Sequence, residues 1–232
     1  MANTPMHTSA SAGDAETLRR LLDQGASPED VTGSGRTPLH WLCYSNAGGD
    51  RIACFELLRA AGANLDAIDS GGCVPLHYAA EISPSLTSAL IEAGASVNGG
   101  TSDRTPLHFA AGYRGRTCNI TVPLLLRAGA EVNAKDRDGN MPLHLAIDAE
   151  NRRILPVLLR AGATIPSHTD TMLGYTYRVS MMYVYRVNKA GGFKRYEQAH
   201  IARITKILAP TPRLPPEMVR KIVEFWLHAG YY

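Results

Sequence analysis

The feature that most restricts this 232-residue chain is a four-residue motif that returns five times. It reads Thr4-Pro5-Met6-His7, Thr37-Pro38-Leu39-His40, Val74-Pro75-Leu76-His77, Thr105-Pro106-Leu107-His108 and Met141-Pro142-Leu143-His144, and its prolines step by 33, 37, 31 and 36 residues. A period in this range marks a chain built from stacked supersecondary units, none of which can bury its apolar face alone. A second signal keeps step with the first. Each motif is followed by a Leu-rich stretch closing on Gly-Ala, at Gly25, Gly62, Gly94, Gly129 and Gly162, 18, 22, 17, 21 and 18 residues after the histidine. Repeats two and four therefore carry short inserts, at Asn46 to Asp50 and Tyr113 to Arg116.

Each motif residue has a physical task. Proline suits the first turn of a helix, where its missing N–H would be unsatisfied anyway. The preceding threonine can cap that helix with its hydroxyl; Val74 and Met141 stand there in repeats three and five, which predicts weaker caps. Small pairs such as Ala79-Ala80 and Ala110-Ala111 allow close helix approach. A second helix carries an apolar stripe, for example Leu18, Leu21 and Leu22, or Leu155, Leu158 and Leu159. The closing glycine takes the left-handed conformation that ends a helix. The motif histidines, five of the eight in the chain, are expected to satisfy backbone groups of their own or a neighbouring repeat. They stack a repeat apart, too distant to share one metal.

This pattern resembles the ankyrin repeat, a β-turn followed by two antiparallel helices. The resemblance covers residues 1–165 in five units, about 1–30, 31–67, 68–99, 100–134 and 135–165. It implies an all-α ankyrin-repeat solenoid with a C-terminal helical cap, and a concave face made by the turn tips and the exposed sides of the first helices. The residue after each motif histidine would line that face: Thr8, Trp41, Tyr78, Phe109 and Leu145. Three successive aromatics at one structural position make a ladder of interface anchors, or else fill a half-buried position that wants a large apolar group. Turn-tip residues Arg36, Arg104, Arg137, Asp138 and Asn140, with Tyr44, Glu81 and Tyr113 at the outer ends of the first helices, complete the candidate protein-binding set.

After Pro166 the period stops. Residues 166–232 read as a helical region of three helices: Tyr175 to Lys189, Phe193 to Leu208, and one begun by Pro215-Pro216-Glu217. They serve as a cap for the open end of the stack, or as a docking element. Leu214, Pro215, Glu217, Met218, Ile222 and Phe225 resemble the opening helix of an F-box and, more faintly, the cullin-facing end of a SOCS box. The match stops short of a full F-box, and no Leu-x-x-x-Cys pattern accompanies it.

Composition narrows the function. The net charge of +3 divides into −3 for residues 1–169 and +6 for residues 170–232. There is no run of about 18 apolar residues for a membrane span, and a motif starting at Thr4 leaves no room for a signal peptide. Cys43, Cys54, Cys73 and Cys118 lack ligand spacing and read as reduced thiols of a cytoplasmic or nuclear protein. No phosphate-cradling loop, nucleophile elbow or ligand cluster is present, so no enzyme activity, cofactor, metal or small-molecule ligand is expected. The expectation is a non-enzymatic module that binds a protein partner along the groove. Two alternatives stand beside it: a substrate adaptor of a ubiquitin ligase docking through Leu214 to Phe225, and a structural subunit whose basic tail faces an anionic partner. A nucleic-acid domain would be more basic and more densely patched than this tail.

Overall fold

The computed structural model describes residues 4–165 and 178–208. Among those residues the secondary structure is helical, with no strand. The helices are α1 (Pro5–Ala12), α2 (Ala15–Asp23), α3 (Pro38–Tyr44), α4 (Arg51–Ala60), α5 (Pro75–Ile82), α6 (Pro84–Glu92), α7 (Pro106–Gly112), α8 (Cys118–Arg127), α9 (Pro142–Asp148), α10 (Leu155–Arg160), α11 (Arg178–Lys189) and α12 (Phe193–Leu208). The first helix of every repeat begins at its motif proline, as expected of a residue preorganised for the first turn.

Two layers follow from the two kinds of helix. The first helices stack α1 on α3, α3 on α5, α5 on α7 and α7 on α9. The second helices stack α2 on α4, α4 on α6 and α6 on α8. Leu39, Leu42, Leu76, Leu107 and Leu143 from the inner layer and Leu18, Phe55, Leu58, Leu86, Leu90 and Leu125 from the outer one fill the space between. Each full burial of this kind contributes about 2 kcal/mol against exposure. The closing glycines have φ between 84° and 93°, the left-handed cap that turns each second helix back toward the next repeat.

The helix starts differ by layer. Three second helices use ordinary side-chain caps, in which Asp14 accepts from the Thr17 N–H at 3.0 Å, Asp50 from the Ala53 N–H at 2.9 Å and Ser83 from the Leu86 N–H at 3.4 Å, whereas α8 and α10 begin without one. First helices use the histidine instead. Nδ1 of His7, His40, His77, His108 and His144 accepts the N–H of Thr4, Thr37, Val74, Thr105 and Met141 at 3.0–3.2 Å. The threonine hydroxyls bond the same ring nitrogen, at 2.8–2.9 Å, rather than first-turn backbone. Val74 and Met141 therefore lose only that hydroxyl bond; the ring caps all five helices alike, and the weakness expected there is confined to one contact.

The other ring nitrogen ties repeats together. Nε2 donates to the Asp30 and Arg36 carbonyls from His7, to Cys73 from His40, to Arg104 from His77 and to Asn140 from His108, at 2.7–3.1 Å. One tautomer, protonated at Nε2, satisfies both sides. Burial holds the His40, His77 and His108 rings below the usual imidazole range, keeping them neutral. Loop carboxylates and amides add a second ladder: Glu29 to Asn64 N–H, Asp66 to Ser96 N–H, Asn98 to Glu131 N–H and Asn133 to Thr164 N–H, all at 2.8–2.9 Å.

Beyond the repeats, α12 packs on α10 and on α11. Phe193 and Tyr196 rest against the core, and Arg160 pairs with Glu197 while its guanidinium lies over the Phe193 ring, 5.7 Å from its centre. The outer layer is thereby covered past repeat five. The segment Leu214 to Phe225 and the third tail helix lie outside the described residues.

Candidate functional site

The inner helices α3, α5, α7 and α9 line up the residues after each motif histidine along one face. Trp41 is half-buried with its ring edge-on to His7 at 6.4 Å, and its Nε1 is buried without a hydrogen-bond partner among the described residues. Tyr78 is only 8% exposed. Phe109, half-buried, meets Tyr78 edge-on at 6.3 Å and His77 at 5.1 Å. The three aromatics do form a row, with the middle one drawn furthest inward.

The cause is Asp69, a residue that reading the sequence missed. Its carboxylate accepts from the Gly71 and Cys73 N–H groups at 2.9 and 3.0 Å, from the Tyr78 hydroxyl at 2.6 Å and from Arg36 Nε at 3.2 Å. Arg36 also donates to the Tyr78 oxygen at 2.9 Å, and its guanidinium lies 4.8 Å over the Tyr78 ring and 4.9 Å over that of Tyr44. Tyr44 is 54% exposed and packs edge-on against Tyr78 at 5.6 Å. Burial would raise the Asp69 carboxyl, but the Tyr78, Cys73, Arg36 and Gly71 hydrogen bonds outweigh it and hold it below the usual carboxylate range. Burial and the same carboxylate push the Tyr78 phenol well above its ordinary value.

Two repeats later the arrangement returns with different side chains. Asp136 accepts from the Asp138 and Asn140 N–H groups at 3.1 and 2.7 Å and from Arg104 Nε at 3.1 Å. Arg104 is the counterpart of Arg36, each placed one residue before the motif threonine. The spacings Arg36 to Asp69 and Arg104 to Asp136 equal about one repeat, and that recurrence is the signal that could have found both carboxylates. Here, however, Leu145 occupies the place of Tyr78 and Gly112 that of Tyr44. With neither phenol present, a pocket of about 540 Å³ opens, lined by Glu81, Phe109, Gly112, Tyr113, Leu145 and Asp148 together with Arg104 and Arg114. Glu81 is half-buried there, and burial alone raises its carboxyl.

The remaining predicted positions divide. Arg137 is exposed on its turn and pairs with Asp103 at 2.8 Å. Asp138 is exposed beside it. Asn140 is half-buried and works through its backbone, giving its N–H to Asp136 and its carbonyl to His108. The structure thus gathers Glu81, Phe109, Tyr113 and Arg104 around one pocket, groups Arg36, Tyr44 and Tyr78 in a filled cluster, and leaves Arg137 and Asp138 on a separate turn. Among the described residues no group of His, Cys, Asp and Glu has metal-site geometry. The four thiols are free and buried, and burial pushes the Cys43 thiol up to about 12. No helix among the described residues is long and apolar enough to cross a membrane.

Three copies of the family model for ankyrin repeats match the chain, at residues 1–69, 47–136 and 76–170. Rabankyrin-5 of Homo sapiens is 31% identical over 168 residues, which are 70% of this chain and 14% of that protein. Ankyrin repeat and SOCS box protein 18 of Homo sapiens is 33% identical over 152 residues, 64% of this chain and 31% of its own length. Alpha-latrotoxin-Lg1a of Latrodectus geometricus is 30% identical over 148 residues, 62% of this chain and 10% of that protein. The chain spans less than a third of each of these relatives.

Proposed function

Because the chain belongs to the ankyrin-repeat family, we propose that it is a non-enzymatic module that holds a protein partner along its concave face, centred on repeats three to five. The observation that carries this reading is the pocket of about 540 Å³ between α5, α7 and α9. Its walls combine aromatic and aliphatic surface from Phe109, Tyr113 and Leu145 with carboxylates from Glu81 and Asp148 and the Arg104 guanidinium. A few convergent polar groups on an apolar floor are what a protein anchor side chain needs. Trp41, Tyr44 and Tyr78, with Arg36, then form the firm shoulder of the groove, while Arg137, Asp138 and Asn140 frame its turn-tip edge. The free thiols suit a reducing compartment, the cytoplasm or nucleus.

The test is capture of partners on the full chain, comparing wild type with Leu145→Tyr, which fills the pocket. A partner held by the groove is lost from Leu145→Tyr and retained by Arg137→Ala. Equal capture by wild type and Leu145→Tyr would overturn the groove reading.

A second reading, a ubiquitin-ligase substrate adaptor, is favoured by the relative whose name carries a SOCS box and by the segment Leu214, Pro215, Glu217, Met218, Ile222 and Phe225. Under it, deleting residues 211–232 removes a co-purifying Skp1-like, elongin or cullin subunit and leaves groove binding intact. Absence of any such subunit from the wild-type complex would sink it.

A further inference from the structure

Next to the groove pocket lies a second cavity, of about 290 Å³, that no predicted function uses. Its rim carries four arginines from two neighbouring inter-helix turns: Arg114 and Arg116 from the repeat-four insert, Arg152 and Arg153 from repeat five. Glu150 is the one carboxylate among the residues that line it. The turns are held in register by Asn151, whose Nδ2 donates to the Ala111 and Tyr113 carbonyls. Among the described residues none of the four guanidiniums is paired with a carboxylate; the described contact is Arg114 Nη2 to the Asp148 carbonyl at 3.4 Å. All four are exposed. Asn119 adds a side-chain amide to the lining, while the Cys118 thiol is turned to the Gly115 carbonyl at 3.1 Å.

Four like charges gathered by the fold repel one another and are stabilised by an anion. The surrounding repeats run the other way, with net charge −3 over residues 1–169, so the cluster is a local reversal rather than part of a basic face. We propose that this cavity binds the phosphate of a phosphorylated serine or threonine in the partner segment that lies along the groove. The inference rests on the groove reading, because Arg114 lines both cavities and joins them. Charge favours phosphate over a single carboxylate: a phosphomonoester carries about −1.5 to −2 at neutral pH with three acceptor oxygens, against several fork-shaped donors. Extent argues against nucleic acid, which needs basic groups repeated along a strand; these span two adjacent turns.

The experiment uses the full chain and fluorescein-labelled degenerate peptide pools that differ only at the central residue, phosphoserine, serine or glutamate. Fluorescence anisotropy should show the phosphoserine pool binding about tenfold or more tighter than the serine pool, the effect of one or two charge-assisted hydrogen bonds. Arg116→Glu with Arg152→Glu should erase that preference and leave Tm unchanged, since both side chains are exposed. Equal binding of all pools overturns the proposal. Equal binding of phosphoserine and glutamate pools overturns it in favour of an acidic segment, and tighter binding of a short RNA or of phosphatidylserine vesicles overturns it in favour of those. The two readings separate cleanly. If Leu145→Tyr abolishes partner capture while the double arginine variant captures normally, the phosphate site fails and the groove stands. If partner capture survives Leu145→Tyr and the phosphoserine preference persists, the groove fails and the anion site stands.

Discussion

The same Arg–Asp pair is built twice into this stack, and its two settings differ in what the next side chain does. Between repeats two and three, Arg36 and Asp69 are joined by the Tyr78 hydroxyl and covered by Tyr44. The groove is filled there, and the Arg36 side chain is 26% exposed. Between repeats four and five, Arg104 and Asp136 keep the ion pair, but Leu145 and Gly112 supply neither phenol, and the Arg104 side chain is 47% exposed. The pair is therefore a common strut of the fold, whereas the residue after the motif histidine decides whether the groove above it is closed or open. The pocket comes from an omission: Leu145 and Gly112 leave space where the equivalent Tyr78 and Tyr44 are packed.

This contrast predicts unequal costs for equal deletions. Asp69→Ala leaves a buried phenol, two turn N–H groups and a guanidinium without their acceptor, and should cost about 3 kcal/mol. Asp136→Ala strands two turn N–H groups, but water reaches the half-exposed Arg104, so its loss should be about 1–2 kcal/mol. Guanidinium-induced unfolding of both variants checks the order. Equal losses would mean that the phenol adds nothing and that the closed half is closed by shape alone.

Acid should act on both halves, because His40 and His108 sit in equivalent places on either side of the contrast. Their pKa values, and that of His77, are depressed in the folded chain below the ordinary 6.5. The unfolded chain thus takes up protons first as pH falls, so stability is full above about 6.5 and declines from there downward. Asp69 and Asp136, also depressed, add their losses only as pH falls below their ordinary 3.8. Thermal melts between pH 7.5 and 5 should show the decline, smaller than that of Asp69→Ala and of similar size in the Asp136→Ala background. A flat profile over that range would mean the rings are protonated in place, contradicting their neutral capping role.

Much of this could be read before any coordinates. The motif prolines predicted the start of every first helix at Pro5, Pro38, Pro75, Pro106 and Pro142, and the tail helix Phe193–Leu208 followed from its apolar spacing. Both are local properties, carried by residues within a few positions of one another. The row of Trp41, Tyr78 and Phe109 was also visible, because stacking places equivalent residues side by side. What escaped was every feature that depends on a partner one repeat away. Asp69 and Asp136 look like ordinary turn residues until Arg36 and Arg104 reach them. Gly112 and Leu145 are unremarkable singly and define a pocket only together. Arg114 and Arg116 lie in the repeat-four insert and Arg152 and Arg153 in an ordinary turn of the next repeat, and only the stacking of the two turns gathers them.

The smallest effect expected is also the one that bears most directly on the contrast. Leu145→Tyr rebuilds the closed arrangement in the open half, giving Arg104 and Asp136 the phenol that Arg36 and Asp69 have. Room exists for it: Leu145 borders the pocket, and Gly112 opposite has no side chain, so that even a Cβ there would meet Leu145 at an ordinary 3.6 Å. The new hydroxyl should reach Asp136 and raise stability by about 1 kcal/mol, the usual net worth of one hydrogen bond. Adding Asp136→Ala should then remove that gain, a coupling that a mutant cycle measures directly. A stabilised protein with the coupling would establish that one side chain switches the groove between packed and receptive. Destabilisation without it would mean that the inner helices of repeats four and five are set at a different spacing, and that the pocket is a property of backbone placement rather than of Leu145.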